Sequence, residues 1–362
     1  MTSKLALPVA LALIASTIVG LEQLRAGGGA GPAPPVASGI PASAAALKGP
    51  AAPELRGIAG YLNTEPNLTL SSLRGRAVLV DFWTYSCINC QRTLPYLKAW
   101  DAKYRDRGLT IVGVHTPEFA FEKSRENVAR FVEENGIRYP VVQDNDYATW
   151  RAYQNNYWPR KYLVDKDGAI RYDHIGEGAY EETERKIQEL LAERDAALKI
   201  DKTMTLPSDT PAVDFRKILT PELYLGYKFA RAPLANVEGF APGQVVNYRA
   251  PAPLPANRVG LEGAWRNSAD YSELVSGAGR VLLNYSAKSV NIVAGGNGTV
   301  EVLLNGRPVP AESRGRDVAA DGSATVAAET LYNLVSAPDY GARALELRVS
   351  GAGFRLYTFT FG

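Results

Sequence analysis

The chain has 362 residues, 46% hydrophobic and 22% charged, which is enough for two domains with a core each. Its 40 basic and 38 acidic residues leave a net charge of +2, and no basic run or Gly-rich phosphate loop appears, so nothing makes an electrostatic case for nucleic acid. The two cysteines lie three residues apart, which excludes a disulfide-stapled scaffold.

In chain order, Met1 to Arg25 comes first. Lys4 precedes an apolar stretch from Leu5 to Leu21, long enough for a signal h-region and close to the ~20 residues of a membrane span. No small-x-small cleavage site follows promptly, since Ala42-Ser-Ala44 is far downstream. The segment reads as a signal or an uncleaved anchor, with the remainder outside the cytoplasm: periplasmic and tethered, or secreted after cleavage. Residues 26–53 are almost entirely Gly, Ala, Pro and Ser, a composition that buries too little apolar surface to order itself and predicts a disordered linker.

Residues 54–198 alternate strand and helix patterns, the signature of an α/β layer fold. Strands are expected over 77–83, 109–114, 140–143, 161–165 and 169–173, the last two joined by the turn Asp165-Lys-Asp-Gly168. Helices are expected over 90–105, 122–135, 146–154 and 180–198. Residues 199–262 are rich in Pro, Ala and Tyr with little periodicity and read as a connecting segment. From 263 to 362, short alternating runs such as 280–285, 299–304 and 343–349 are punctuated by Gly295-Gly-Asn-Gly298, Asn305-Gly306 and Asp321-Gly322. About eight strands at this spacing predict an all-β sandwich of jelly-roll type.

The chemistry concentrates where Ala77-Val-Leu-Val-Asp-Phe-Trp83 runs through Thr84-Tyr-Ser into Cys87-Ile-Asn-Cys90. A strand turning into a helix at Cys87 places that sulfur beside unpaired backbone N–H groups carrying about half a positive charge, which favours thiolate over thiol. With Cys90 one turn on, the pair forms a reversible dithiol couple: an accessible sulfur that attacks and a shielded one that resolves the mixed disulfide. A structural disulfide over so short a loop would stabilise little. A zinc site would need four ligands, and the only other His or Cys residues are His115 and His174. No cofactor is expected beyond the redox-active Cys87–Cys90 disulfide itself.

Val80-Asp-Phe-Trp83, Cys87-x-x-Cys90 and Pro95 five residues later resemble the thioredoxin superfamily in type and spacing. The resemblance implies that Asp81 is a buried acid beside the resolving thiol, that Pro95 kinks the active-site helix, and that Pro159 in Tyr157-Trp-Pro159 is a cis-proline facing the disulfide. Trp158 is larger than the residue usually found before that proline. Phe82 to Cys90, Thr93 to Trp100, Gly113 to Glu122 and Gln143 to Trp150 resemble more closely the extracytoplasmic TlpA-type proteins and the soluble C-terminal part of DipZ-type cytochrome c biogenesis proteins. That resemblance implies an insertion between about 120 and 155, and an acid, Glu118, near the active site, where it either tunes the cysteines or caps the following helix. His115 reads as a packed or solvent-facing loop residue, with proton handling as the alternative. DipZ-type proteins begin with a multi-span membrane domain that delivers electrons, so a separate membrane electron donor is expected for this chain.

In the same family the C-terminal part looks like a carbohydrate-binding module, and Trp265, Tyr271, Tyr285, Tyr332 and Tyr340 are candidate ring faces for a glycan, with core packing as the alternative. The expected function is an exported thiol-disulfide oxidoreductase, a reductase of protein disulfides, because Ile88-Asn89 supplies no cation to stabilise the thiolate. Two alternatives remain. Thr84-Tyr-Ser-Cys87 fits a Thr-x-x-Cys peroxidase pattern, although position 80 is Val rather than the expected Pro. A cell-envelope binding protein would use the thioredoxin-like part only for docking.

Overall fold

The computed structural model describes residues 47–201, 203–204, 207 and 213–362. The signal or anchor reading of Met1 to Arg25 and most of the linker lie outside the described residues. Among the described residues, no helix is long and apolar enough to cross a membrane.

The N-terminal part has the elements β1 (Gly60–Leu62), β2 (Ala77–Trp83), α1 (Ile88–Tyr104), β3 (Leu109–His115), α2 (Arg125–Glu134), β4 (Val141–Gln143), α3 (Ala148–Ala152), β5 (Arg160–Val164), β6 (Ile170–Ile175) and α4 (Tyr180–Arg194). They form one mixed sheet of order β1-β4-β3-β2-β5-β6 with β2, β3 and β4 parallel, a thioredoxin-like fold. Strand β2 lies at the centre and is buried along its whole length. Its alternation assigns its faces: Ala77, Leu79 and Trp83 join α1, α2 and α4 in one core, while Val78, Val80 and Phe82 pack with Trp150, Tyr153 and Tyr162 in the other. Asp81 is therefore on the α1 face. Burying side chains such as Leu79 and Leu97 contributes about 1.5–3 kcal/mol each in transfer free energy.

Several boundaries move. The active-site helix begins at Ile88 rather than Cys90, because Cys87 is its N-cap. The helix expected over 122–135 is a single 3₁₀ turn (Ala120–Lys123) followed by α2, since Ser124 breaks the run and its hydroxyl accepts from the Asn127 N–H at 3.3 Å. The helix expected to reach Leu198 stops at Arg194. Within the residues read as linker, Ala51 bridges Ala169 and the Ala52 N–H donates to the Gly168 carbonyl at 2.9 Å. Backbone pairing needs no apolar side chain, so composition could not show it.

The C-terminal part comprises β7 (Leu223–Tyr224), β8 (Val245–Tyr248), β9 (Val259–Asn267), β10 (Ser272–Leu274), β11 (Ala278–Gly295), β12 (Gly298–Leu304), β13 (Arg307–Pro308), β14 (Ser323–Val326), β15 (Thr330–Ser350) and β16 (Arg355–Phe361). It is all-β. The two long strands β11 and β15 run antiparallel, and register irregularities near Ala287 to Asn291 let β11 pair with β9 at one end and β16 at the other around one apolar core. The reading of 199–262 as a connector is corrected: β7, β8 and the start of β9 belong to this sheet. Those strands are short and separated by Pro-rich loops, so their period never registered. For the candidate glycan platform, the core-packing alternative holds at three of the five rings. Trp265, Tyr285 and Tyr332 are buried in the core, Tyr271 packs on Tyr357 with centroids 5.0 Å apart, and Tyr340 lies under the Lys217 ammonium.

The two parts join through a shared apolar cluster in which Phe119 meets Tyr224, Val293, Leu331 and Tyr357. Polar bonds cross the same joint: Ala120 N–H to Asp270 Oδ2 at 3.3 Å and the Tyr85 hydroxyl to the Glu329 carbonyl at 3.2 Å. The β domain is thereby held against the loop that leads into Cys87.

Candidate active site

Cys87 caps α1 with φ −78° and ψ 117°, and its Sγ accepts the Cys90 backbone N–H at 3.3 Å. That is the geometry in which helix N–H groups stabilise a sulfur anion. Cys87 is partly exposed, Cys90 is buried, and neither is disulfide-bonded. Burial pushes the Cys90 thiol well above its ordinary range, and the neighbouring Cys87 and Asp81 push in the same direction. The pair is thus asymmetric: one sulfur meets solvent and the other must lose its proton in a dry interior.

Asp81 is also buried, and desolvation raises its carboxyl to about 7, partly opposed by Lys161. Its Oδ1 has no hydrogen-bond partner among the described residues, which leaves an acceptor free on the face shared with Cys90. Lys161 stands opposite Asp81 in the β2–β5 ladder and is fully buried, its ammonium donating to the Gly176 carbonyl at 3.0 Å. Desolvation lowers its proton affinity and Asp81 counteracts this.

The Trp158–Pro159 peptide bond is cis, as the resemblance implied. The Trp158 ring packs on Trp150 at 4.2 Å and donates its N–H to the Thr116 carbonyl at 3.0 Å, so the bulk before the proline is turned largely against the protein. His115 is not a loop residue: it ends β3, buried between Trp83 and Tyr85, with Nε2 3.3 Å from the Thr84 hydroxyl. Desolvation lowers its proton affinity to about 3, so it is neutral near pH 7 and carries no proton traffic there.

Glu118 caps nothing with its side chain. Its carboxyl accepts from the Tyr224 hydroxyl of the β domain at 2.7 Å, and that hydroxyl lies 3.1 Å from Glu222 Oε2. Desolvation, with the charges of Glu122 and Glu222, raises Glu118 to about 8, so it is mostly protonated near pH 7.

Sequence reasoning missed Glu122, Lys161 and Tyr224. Glu122 is buried beneath the loop before Cys87, where Oε1 accepts the Ser86 hydroxyl at 2.6 Å and Oε2 accepts the N–H groups of Glu118 and Phe119 at 2.5 and 2.9 Å. A charged residue between Phe121 and Lys123 carries no signal of burial. Lys161 was visible only as the second of two adjacent cations that open β5.

Cys87 opens into a cleft of about 540 Å³ bounded by both parts of the chain, with Ser86, Asn89 and Trp158 on one side and Leu219, Thr220 and Phe361 on the other. That volume is in the range of small-ligand sites.

Residues 49–173 match the family described as AhpC/TSA, and residues 220–362 match the family described as Thioredoxin like C-terminal domain. Protein DipZ of Mycobacterium tuberculosis is 39% identical over 318 residues, 86% of this chain and 43% of that protein. The chain thus spans less than half the length of those curated relatives. The thiol-disulfide oxidoreductase YkuV of Bacillus subtilis is 31% identical over 144 residues, 40% of this chain and 95% of YkuV. The crystal structure of the thioredoxin-like superfamily protein SPOA0173 aligns with 28% identity over 39% of this chain and 96% of that one, at a TM-score of 0.37.

Proposed function

The chain belongs to the thioredoxin-like thiol-disulfide oxidoreductases, and from that premise we propose that it is an exported reductase of protein disulfides. The observation that carries this reading is the pairing of an accessible helix-capping Cys87 with a buried Cys90 next to Asp81, without a free cation at the first helical turn among the described residues. Arg92 is bound to Glu177 at 3.0 Å and to Asn89 Oδ1 at 2.9 Å, and Arg316, which reaches Gln91 Oε1 at 3.3 Å, pairs with Asp317 at 3.3 Å, so both charges are already matched. A thiolate without extra cationic support keeps the dithiol form reducing.

In the forward reaction the Cys87 thiolate attacks one sulfur of a substrate disulfide. The Cys87–substrate bond forms, the substrate disulfide breaks, and the departing thiolate takes a proton, for which Glu118 is the neighbouring acid in the cleft. Cys90 then gives its proton to Asp81 and attacks Cys87 Sγ, leaving the Cys87–Cys90 disulfide and expelling the second substrate sulfur as a thiolate, which takes its proton from solvent. Two electrons pass from enzyme to substrate. A dithiol donor on a separate membrane protein returns them. The apolar run from Leu5 to Leu21 supports placement outside the cytoplasm.

An equilibrium redox titration of the purified protein, followed by thiol alkylation, tests the direction. A potential near or below about −220 mV is expected, and a value near roughly −120 mV would reassign the protein as a disulfide-forming oxidase. Cys90→Ser is expected to hold substrates as mixed disulfides that reducing agent releases and non-reducing electrophoresis detects. A variant that turns over normally would show that Cys90 does not resolve them.

A further inference from the structure

The cleft at Cys87 is half built by the β domain, and its composition bears on what can enter. Three large apolar side chains stand exposed around it: Tyr157 at 51% from the loop before Pro159, and Phe215 and Leu219 at 52% and 66% from the segment leading into β7. Side chains of this kind left in water at a reactive cleft mark a recognition surface. Among the described lining residues the charged groups are Glu118, Glu222 and Arg231. Arg231 lies over the Tyr224 ring at 5.2 Å, against the two carboxyl groups that share the Tyr224 hydroxyl. With Glu118 protonated, Glu222 and Arg231 balance, so the cleft adds no net charge and its exposed apolar side chains carry the selection. Leu219, Thr220 and Phe361 of the β domain line the same cleft of about 540 Å³ as Cys87, a volume suited to a few side chains rather than a folded surface.

We propose that the β domain is the specificity element of this enzyme, and that the cleft selects an extended peptide segment carrying apolar residues beside its disulfide-bonded cysteine. The inference rests on the disulfide-reductase reading and names its substrate class. Phe215, Leu219 and Tyr157 hold the flanking apolar side chains. The electron balance is that of the reductase reaction: the reduced dithiol supplies two electrons, and each substrate sulfur leaves as a thiol.

The test uses the reduced, full-length protein and three disulfides: a short peptide with Leu and Phe flanking its cysteine, the same peptide with serines in place of Leu and Phe, and oxidised glutathione. Single-turnover rate constants are expected to be at least about tenfold higher for the apolar peptide than for the other two, as one or two well-placed apolar contacts can supply. Raising the salt is expected to leave that advantage unchanged. The Phe215→Ser/Leu219→Ser variant, altered at exposed positions, is expected to lose about tenfold in the ratio of apolar-peptide to glutathione rates. Its redox potential, measured alongside, reports whether the dithiol site is intact. Equal rates for all three disulfides, or an unchanged ratio in the variant, would overturn the substrate assignment while leaving the oxidoreductase intact. If none of the three is reduced, it is the reductase reading that falls.

Discussion

Cys87→Ser is expected to abolish disulfide turnover, lowering the rate by at least about four orders of magnitude. A serine hydroxyl at the cap of α1 would still accept the Cys90 N–H, so the fold loses little, but it is scarcely ionised near neutral pH and makes no exchangeable bond to sulfur. Cys90 cannot substitute for it. That thiol is buried, and its proton affinity is raised by burial and by its neighbours, so a substrate sulfur has neither a path to it nor a thiolate to meet. Thiol release from a chromogenic disulfide, with thermal unfolding as the folding control, measures this directly. A variant that folds and keeps its biological activity would favour the binding-protein alternative, in which the thioredoxin-like part only docks.

The parts of this site that the sequence disclosed are those whose geometry is local. Cys87 and Cys90 are one helical turn apart, and Asp81 is fixed by the alternation of a single buried strand, so pattern alone places them. Pro159 was legible through resemblance, because its neighbours in sequence carry the match. What stayed hidden arrives from elsewhere in the chain. Lys161 faces Asp81 only because β5 pairs with β2 in one particular register, and a one-residue slip would have turned it to the opposite face. Tyr224 and Phe361 reach the cleft from a sheet whose first strands, two to four residues long, lie in a Pro-rich stretch without a readable period. Which of the candidate aromatic residues face the core stayed hidden for a related reason. Alternation shows that one face of a strand is buried, but which face is decided by long-range pairing, and Trp265, Tyr285 and Tyr332 were on the inside.

The second large effect concerns Asp81→Asn, for which stability and chemistry are expected to move in opposite directions. The native carboxyl titrates at about 7 against an ordinary value of 3.8, so the folded state prefers the protonated form. The stability associated with that preference is complete below about pH 4 and is lost as pH rises through about 7. A shift of about three units at about 1.36 kcal/mol each sets an upper bound of about 4 kcal/mol on the loss. Asparagine cannot ionise and escapes it. The gain is offset in part because Lys161, fully buried, loses the charge opposite it. Asp81→Asn is therefore expected to be more stable than the natural protein at pH 8 by roughly 1–3 kcal/mol in urea unfolding, with the difference vanishing toward pH 4. The same substitution removes the base that takes the Cys90 proton. Resolution of the mixed disulfide is expected to slow by about 10²-fold or more, and the inflection near pH 7 in that step to disappear. A variant that becomes more stable yet keeps the inflection would show that Asp81 is a buried acid without a part in the reaction, and that the Cys90 proton leaves by another route.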